Sequence, residues 1–123
     1  MTIRTLAEAL SHYGREAYLL TIAKDGPHTS QVSVDLRDGR IDCEIGKSAA
    51  RNIARDPNVS LFWPATEPSG YAMIVNGTAV EHHRPTGATT AQITLTKSVL
   101  HRRGPKPAAS DGPCASDCRI LKR

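Results

Sequence analysis

The sequence predicts a mainly β protein: a six-stranded antiparallel barrel with one short helix before the first strand and another between the third and fourth. Three observations predict it. Apolar and polar residues alternate with a period of two through most of residues 17–100. Asp-Gly pairs separate the first alternating runs, where a tight turn needs a residue that accepts positive φ. Helical spacing of apolar residues is confined to two short segments.

The first segment, residues 3–13, places Ile3, Leu6, Ala7, Leu10 and Tyr13 on one helical face, with Thr5 and Glu8 fitting a capping box and Gly14 a C-terminal stop. Three strands follow as a meander. Tyr18, Leu20 and Ile22 share one face of the first, Ser30, Val32, Val34 and Leu36 one face of the second, and Ile41, Cys43 and Ile45 one face of the third. Their connections are Lys24-Asp25-Gly26-Pro27 and Arg37-Asp38-Gly39-Arg40. Residues 46–57 read as a helix of two to three turns, with Ser48 as N-cap and Pro57 forbidding continuation. Val59, Leu61 and Trp63 alternate in a fourth strand, and residues 64–70 form a loop. The fifth strand, residues 71–80, is apolar on both faces and is expected to be covered on both. Ile93, Leu95 and Val99 mark the sixth. Six strands leave no wide lumen, so these aliphatic side chains should fill it and a ligand should bind outside or between subunits.

The chain has 123 residues and a formal charge of +4. That length predicts one domain large enough for a core of its own. Residues 1–100 carry ten basic and ten acidic side chains, so the excess lies beyond them, where Arg102, Arg103, Lys106, Arg119, Lys122 and Arg123 face Asp111 and Asp117. All five aromatic residues precede that segment, so the basic stripe interleaved with stacking aromatics that marks a nucleic-acid surface is absent and such a partner is not expected. The division expected is a barrel over residues 1–103 and a Pro/Gly-rich, loose basic tail over 104–123. Apolar runs are far shorter than the roughly 20 residues of a membrane span. The start lacks the pattern of a secretory leader, so a cytoplasmic protein is expected. Cys43, Cys114 and Cys118 are too few for a disulfide scaffold. Cys43 reads as a small buried hydrophobe, and Cys114 and Cys118 with His101 lack the second ligand pair of a zinc motif, so no metal is expected.

Four stretches, taken in order, resemble the flavin-binding split-barrel family that includes pyridoxamine 5'-phosphate oxidase and small relatives using flavin mononucleotide or a deazaflavin coenzyme. They are Leu20-Thr21-Ile22-Ala23-Lys24-Asp25-Gly26-Pro27-His28, Ser30-Gln31-Val32, residues 50–61 with Arg51-Asn52-Ile53 and Asp56-Pro57, and Val75-Asn76-Gly77-Thr78-Ala79. The third is the most specific. The resemblance implies that the barrel is split, that FMN or a deazaflavin is the cofactor, and that a homodimer holds it at the interface. It also implies an oxidoreductase passing hydride or electrons between cofactor and a small-molecule substrate.

The cofactor phosphate would lie at the start of the helix at residues 46–57, near Lys47, Ser48 and Arg51. A helix N-terminus with two cations and a hydroxyl suits an anion independently of the resemblance. In the family the ring lies along positions matching Ser30, Gln31 and Val32, and Trp63 and Tyr71 are candidates to stack on it from the neighbouring subunit. Family members often carry a phosphate-binding lysine where this chain has Ala49. Blander readings stand beside these: a solvated helix for Lys47, Ser48 and Arg51, a wet strand face for Ser30 and Gln31, core filling for Trp63 and Tyr71, and an Arg55 paired with Asp56 or Glu44. No general acid or base is assigned. The alternative function is a carrier of flavin, haem or a related ligand without turnover, which the missing lysine favours.

Overall fold

A computed structural model describes residues 3–102 and 117–122. In order along the chain lie α1 (Leu6–Tyr13), β1 (Glu16–Ala23), β2 (Gly26–Arg37), β3 (Arg40–Glu44), α2 (Lys47–Arg55), β4 (Asn58–Trp63), β5 (Ala72–His83), β6 (Thr89–Arg102) and β7 (Asp117–Ile120). The antiparallel order is β3-β2-β1-β4-β5-β6, and β3 pairs back onto β6 from Ile41↔Ile93 to Glu44↔Thr90, which closes a six-stranded barrel. The predicted fold class holds.

Local chemistry explains the elements. The Glu8 amide donates to the Thr5 hydroxyl at 3.2 Å, and Gly14 ends α1 at φ 89°. Asp38 and Gly39 both adopt positive φ, 51° and 74°, as the mirror-image hairpin turn between β2 and β3 requires. Gly77 meets a different demand. A Cβ there would stand 2.4 Å from the Thr94 carbonyl oxygen, so any side chain would force β5 and β6 apart. The same place carries a bulge: Asn76 pairs with Lys97 and Gly77 with Leu95, leaving Thr96 unpaired.

The structure corrects four expectations here. On β1 the inward face is Ala17, Leu19 and Thr21, whereas Tyr18 and Ile22 are 40% and 42% exposed. Period two is shared by both faces, and when both carry apolar residues only tertiary pairing selects the core. The bulge at Thr96 inverts the alternation of β6, so Ser98 and Leu100 turn inward and Val99 leaves the core cluster. On β5, Met73, Val75 and Ala79 are buried, but the outward Ile74 is only half-buried and Val80 is exposed. Lastly, the end of the chain is not loose at residues 117–122. β7 pairs with β6 from Val99↔Ile120 to Arg102↔Asp117, Leu121 is buried, and Lys122 bridges to Thr5. The expected looseness of residues 104–116 falls outside the described residues.

Trp63, Leu61, Leu19, Ile41, Met73, Ile93 and Leu100 fill the barrel almost without exposure. Each such side chain contributes on the order of 2 kcal/mol by leaving water. Cys43 belongs to this core, as expected, and burial first, then the Asp42 charge, pushes its thiol up to about 12. An unfolded thiol ionises near about 8.5. Because the folded value is the higher one, the associated stability is complete below about pH 8.5 and is lost as pH rises toward 12. Urea midpoints are expected to fall above about pH 9, and to fall less in Cys43→Val; equal slopes in both proteins would contradict this.

Candidate functional site

The barrel is open along half of β2. From Gly26 to Ser33 this strand pairs with β1, whereas its pairing with β3 begins at Val34↔Cys43. The Val34 amide donates to the Arg15 carbonyl at 2.9 Å, and bonding pairs alternate along an antiparallel ladder. Val32 and Ser30 therefore turn their backbone groups toward β1. Those of Gln31 and Thr29 point the other way, where no strand pairs with them among the described residues. The side chains divide too: Val32 is buried, Ser30 is half-buried, and Gln31 is exposed on the outer face opposite Tyr18. Of the three predicted ring positions, Gln31 is the one that reaches the outer surface with both its side chain and its free backbone edge.

Helix α2 is held at both ends of this opening. Its start follows β3 by way of Ile45 and Gly46, the Ile45 amide bonding the Thr89 carbonyl at 2.9 Å. Near its end, buried Asn52 donates through Nδ2 to the Thr21 hydroxyl at 3.0 Å, and Arg55 Nη2 donates to the Ile22 carbonyl at 2.6 Å. Thr21 and Ile22 pair with His28 and Pro27, so the end of α2 sits on β1 near the Pro27 end of β2, and the helix packs on β1 and β5. Arg55 is thus a clamp on β1 and not a partner of Asp56 or Glu44.

Ser48 is not the N-cap. That position is Gly46, in extended backbone, and no side chain caps the helix. The first-turn amides of α2 accordingly lack a side-chain acceptor, which leaves the partial positive charge of the terminus uncompensated. Lys47, Ser48 and Arg51 are all exposed, and no ion pair engages them among the described residues. Ala49 is 2% exposed on the opposite, packed side. A lysine at that position would point into the barrel, which gives a packing reason for the small residue.

Beyond Ile22 the outer face continues as a groove of about 330 Å³. Leu20 and Ile22 form its apolar wall, and Ser60, Asn76 and Thr96 its polar side. The Ser60 hydroxyl donates to Asn76 Oδ1 at 2.6 Å, which orients the amide. Gly77 and the bulge at Thr96 make the floor, so the backbone irregularity shapes the groove directly. Leu20, Ile22, Ser60, Asn76 and Gly77 all lie in the stretches that carry the resemblance, but sequence reading gave them no place in a site, because a single Asn-Gly pair in a strand is a weak signal.

Trp63 and Tyr71, the candidates for stacking from a neighbouring subunit, lie at the other end of the barrel and are buried within this chain. Trp63 is 1% exposed and its indole N–H donates to the Gly14 carbonyl at 3.0 Å, at the opposite end of β1 from α2. Tyr71 is at that same far end: its carbonyl accepts from the Tyr13 hydroxyl at 2.5 Å, and its ring is covered by the Arg102 and Arg119 guanidinium groups at 4.6 and 5.3 Å. Among the described residues no cluster of three or more His, Cys, Asp or Glu side chains is arranged to hold a metal ion, and no helix is long and apolar enough to cross a membrane.

A closed six-stranded barrel opened along β2 and flanked by α2 defines a split-barrel protein. Solved structures share the fold. A Clostridium acetobutylicum protein related to general stress protein 26, of the pyridoxinephosphate oxidase family, superposes with a TM-score of 0.67 over 94% of this chain and 92% of its own, at 11% identity. An F420 reductase gives 0.64 over 74% and 94% at 14% identity, and the haem storage protein of Vibrio cholerae 0.60 over 76% and 92% at 13% identity. No protein-family model matches the chain. By sequence it is 33% identical over 135 aligned residues to an uncharacterized protein of Mycobacterium bovis, covering 97% of this chain and 93% of that protein, with the same values for one of Mycobacterium tuberculosis. The chain belongs to one family with these two mycobacterial proteins, and its fold is the pyridoxamine 5'-phosphate oxidase-like split barrel.

Proposed function

We propose that this protein is a homodimeric oxidoreductase that binds flavin mononucleotide or a phosphate-bearing deazaflavin and passes hydride or electrons to a small molecule. One observation carries the reading: the uncapped N-terminus of α2, with exposed Lys47, Ser48 and Arg51, follows directly on β3, which leaves β2 at Val34 where the unpaired edge of β2 begins. The first-turn amides and the two cations suit a phosphate dianion. The free backbone groups of Gln31 and Thr29 suit the donors and acceptors of a ring edge. When bound, the cofactor supplies the redox chemistry, and the protein fixes and shields it. Tyr18 and Ile22, exposed beside half-buried Leu20, Phe62 and Ile74, form the apolar surface on which a second copy excludes water from the ring. A cytoplasmic setting is part of this proposal.

A carrier without turnover is the second reading. It is favoured by the groove, whose described lining contains no ionisable side chain to move a proton. Both readings meet in one experiment on the purified chain: absorption spectrum, native mass and melting temperature with FMN and with reduced deazaflavin. Ligand at about 100 times Kd should stabilise the fold by about 2.7 kcal/mol, a rise of several degrees. A colourless monomer whose melting temperature ignores both cofactors would overturn the proposal; binding without substrate-dependent cofactor oxidation would establish the carrier.

A further inference from the structure

At the far end of the barrel from α2, a cavity of about 370 Å³ lies between the loop after β4 and the ends of β6 and β7. Glu67, Ser69, Gly70, Tyr71, Arg102 and Arg119 line it. The ladder explains why two guanidinium groups meet here. Ala72 pairs with His101, and Arg102 and Leu100 pair with Asp117 and Arg119, so both arginines converge on the ring of Tyr71. Stacking on an aromatic face fixes a guanidinium plane and leaves its N–H edge available for a planar or tetrahedral oxyanion.

The formal charges in and around the cavity cancel in number, two positive and two negative, but not in place. The Asp117 carboxylate is already engaged: the Tyr71 hydroxyl donates to it at 2.5 Å and Arg102 Nε at 2.9 Å. The Tyr71 hydrogen bond is the main cause, ahead of the Arg102 contacts, that holds this carboxyl below the usual carboxylate range. Arg102 retains its terminal nitrogens, and the Arg119 side chain makes no hydrogen bond or ion pair among the described residues, though its charge also helps lower the Asp117 carboxyl. Glu67 folds back over Gly70 and pairs with neither arginine among the described residues. Two oriented guanidinium edges and the Ser69 hydroxyl thus face a cavity whose one uncommitted acid competes with any anion that enters.

We propose that this cavity is a second recognition site, for a small oxyanion: the phosphate or carboxylate group of a small molecule, bound between Arg102 and Arg119. It is separate from α2 and does not depend on the cofactor reading. The test is calorimetric titration of the full chain with inorganic phosphate and, separately, citrate, at ionic strength held constant with chloride. Saturable binding is expected, with the tighter of the two probes naming the anion class. Arg119→Gln should weaken it at least about tenfold, Arg119→Lys should weaken it less, and Glu67→Gln should tighten it severalfold. Arg40→Gln, which removes an exposed charge at the β2–β3 turn away from both sites, should leave it unchanged. Melting temperatures of the variants report that the fold persists, and the rise expected in Glu67→Gln is a gain no unfolding mimics. Absence of binding by either probe, or binding that follows Lys47 and ignores both Arg119 and Glu67, would overturn the proposal.

Discussion

Trp63→Ala is expected to destabilise the protein by about 3–5 kcal/mol, the cost of emptying a large aromatic site in a packed core. The indole is 1% exposed, fills the barrel beside Leu61 and Met73, and spends its N–H on Gly14, the residue that ends α1. Removing it opens a cavity and strands the Gly14 carbonyl, so the two losses reinforce each other. Domains of this size have only about 5–15 kcal/mol in total, and the melting temperature should drop by about 10 °C or more. Trp63→Phe should recover part of the loss, since the ring volume returns without the hydrogen bond. Cofactor affinity per folded molecule should be the same in Trp63→Phe as in the parent. A selective loss of affinity with stability intact would mean that Trp63 stacks on a ligand after all.

The second large effect belongs to α2. In Lys47→Ala/Arg51→Ala, FMN affinity is expected to fall about 30- to 1000-fold. Two charge-assisted contacts to phosphate at an exposed site are together worth about 2–4 kcal/mol, and each 1.4 kcal/mol is tenfold. Because both side chains are exposed and unpaired among the described residues, stability should barely change. Riboflavin, which lacks the phosphate, supplies the discriminating measurement. Its weaker binding should be indifferent to the double substitution if the cations hold phosphate, and should fall in parallel with FMN if they act on the ring.

Arg51-Asn52 illustrates how far the sequence reaches into this site. The motif located the helix and an exposed cation, and it also placed Asn52 one residue on. What Asn52 does, a buried hydrogen bond to Thr21 that fixes α2 across the mouth of the barrel, depends on a residue 31 positions earlier. Ser30, Gln31 and Val32 were legible as a strand segment but not as an edge. That the backbone groups of Gln31 face an opening follows from β3 leaving β2 at Val34, a property of pairing and not of composition. Trp63 and Tyr71 were legible as aromatics near a loop, and burial decided their roles.

The sequence by itself determined the order of the first six strands and both helices, the hairpin turn at Asp38 and Gly39, the stop at Gly14 and the split-barrel resemblance, because these rest on neighbours a few residues apart or on motifs read in order. Tertiary structure alone decided which face of β1 is the core, where β6 loses its alternation, that residues 117–122 pack onto β6 and α1, and that two arginines share the ring of Tyr71. Those outcomes depend on which strands meet and in what register. A period of two is the same whichever face turns inward, so only the closing of the barrel breaks the tie.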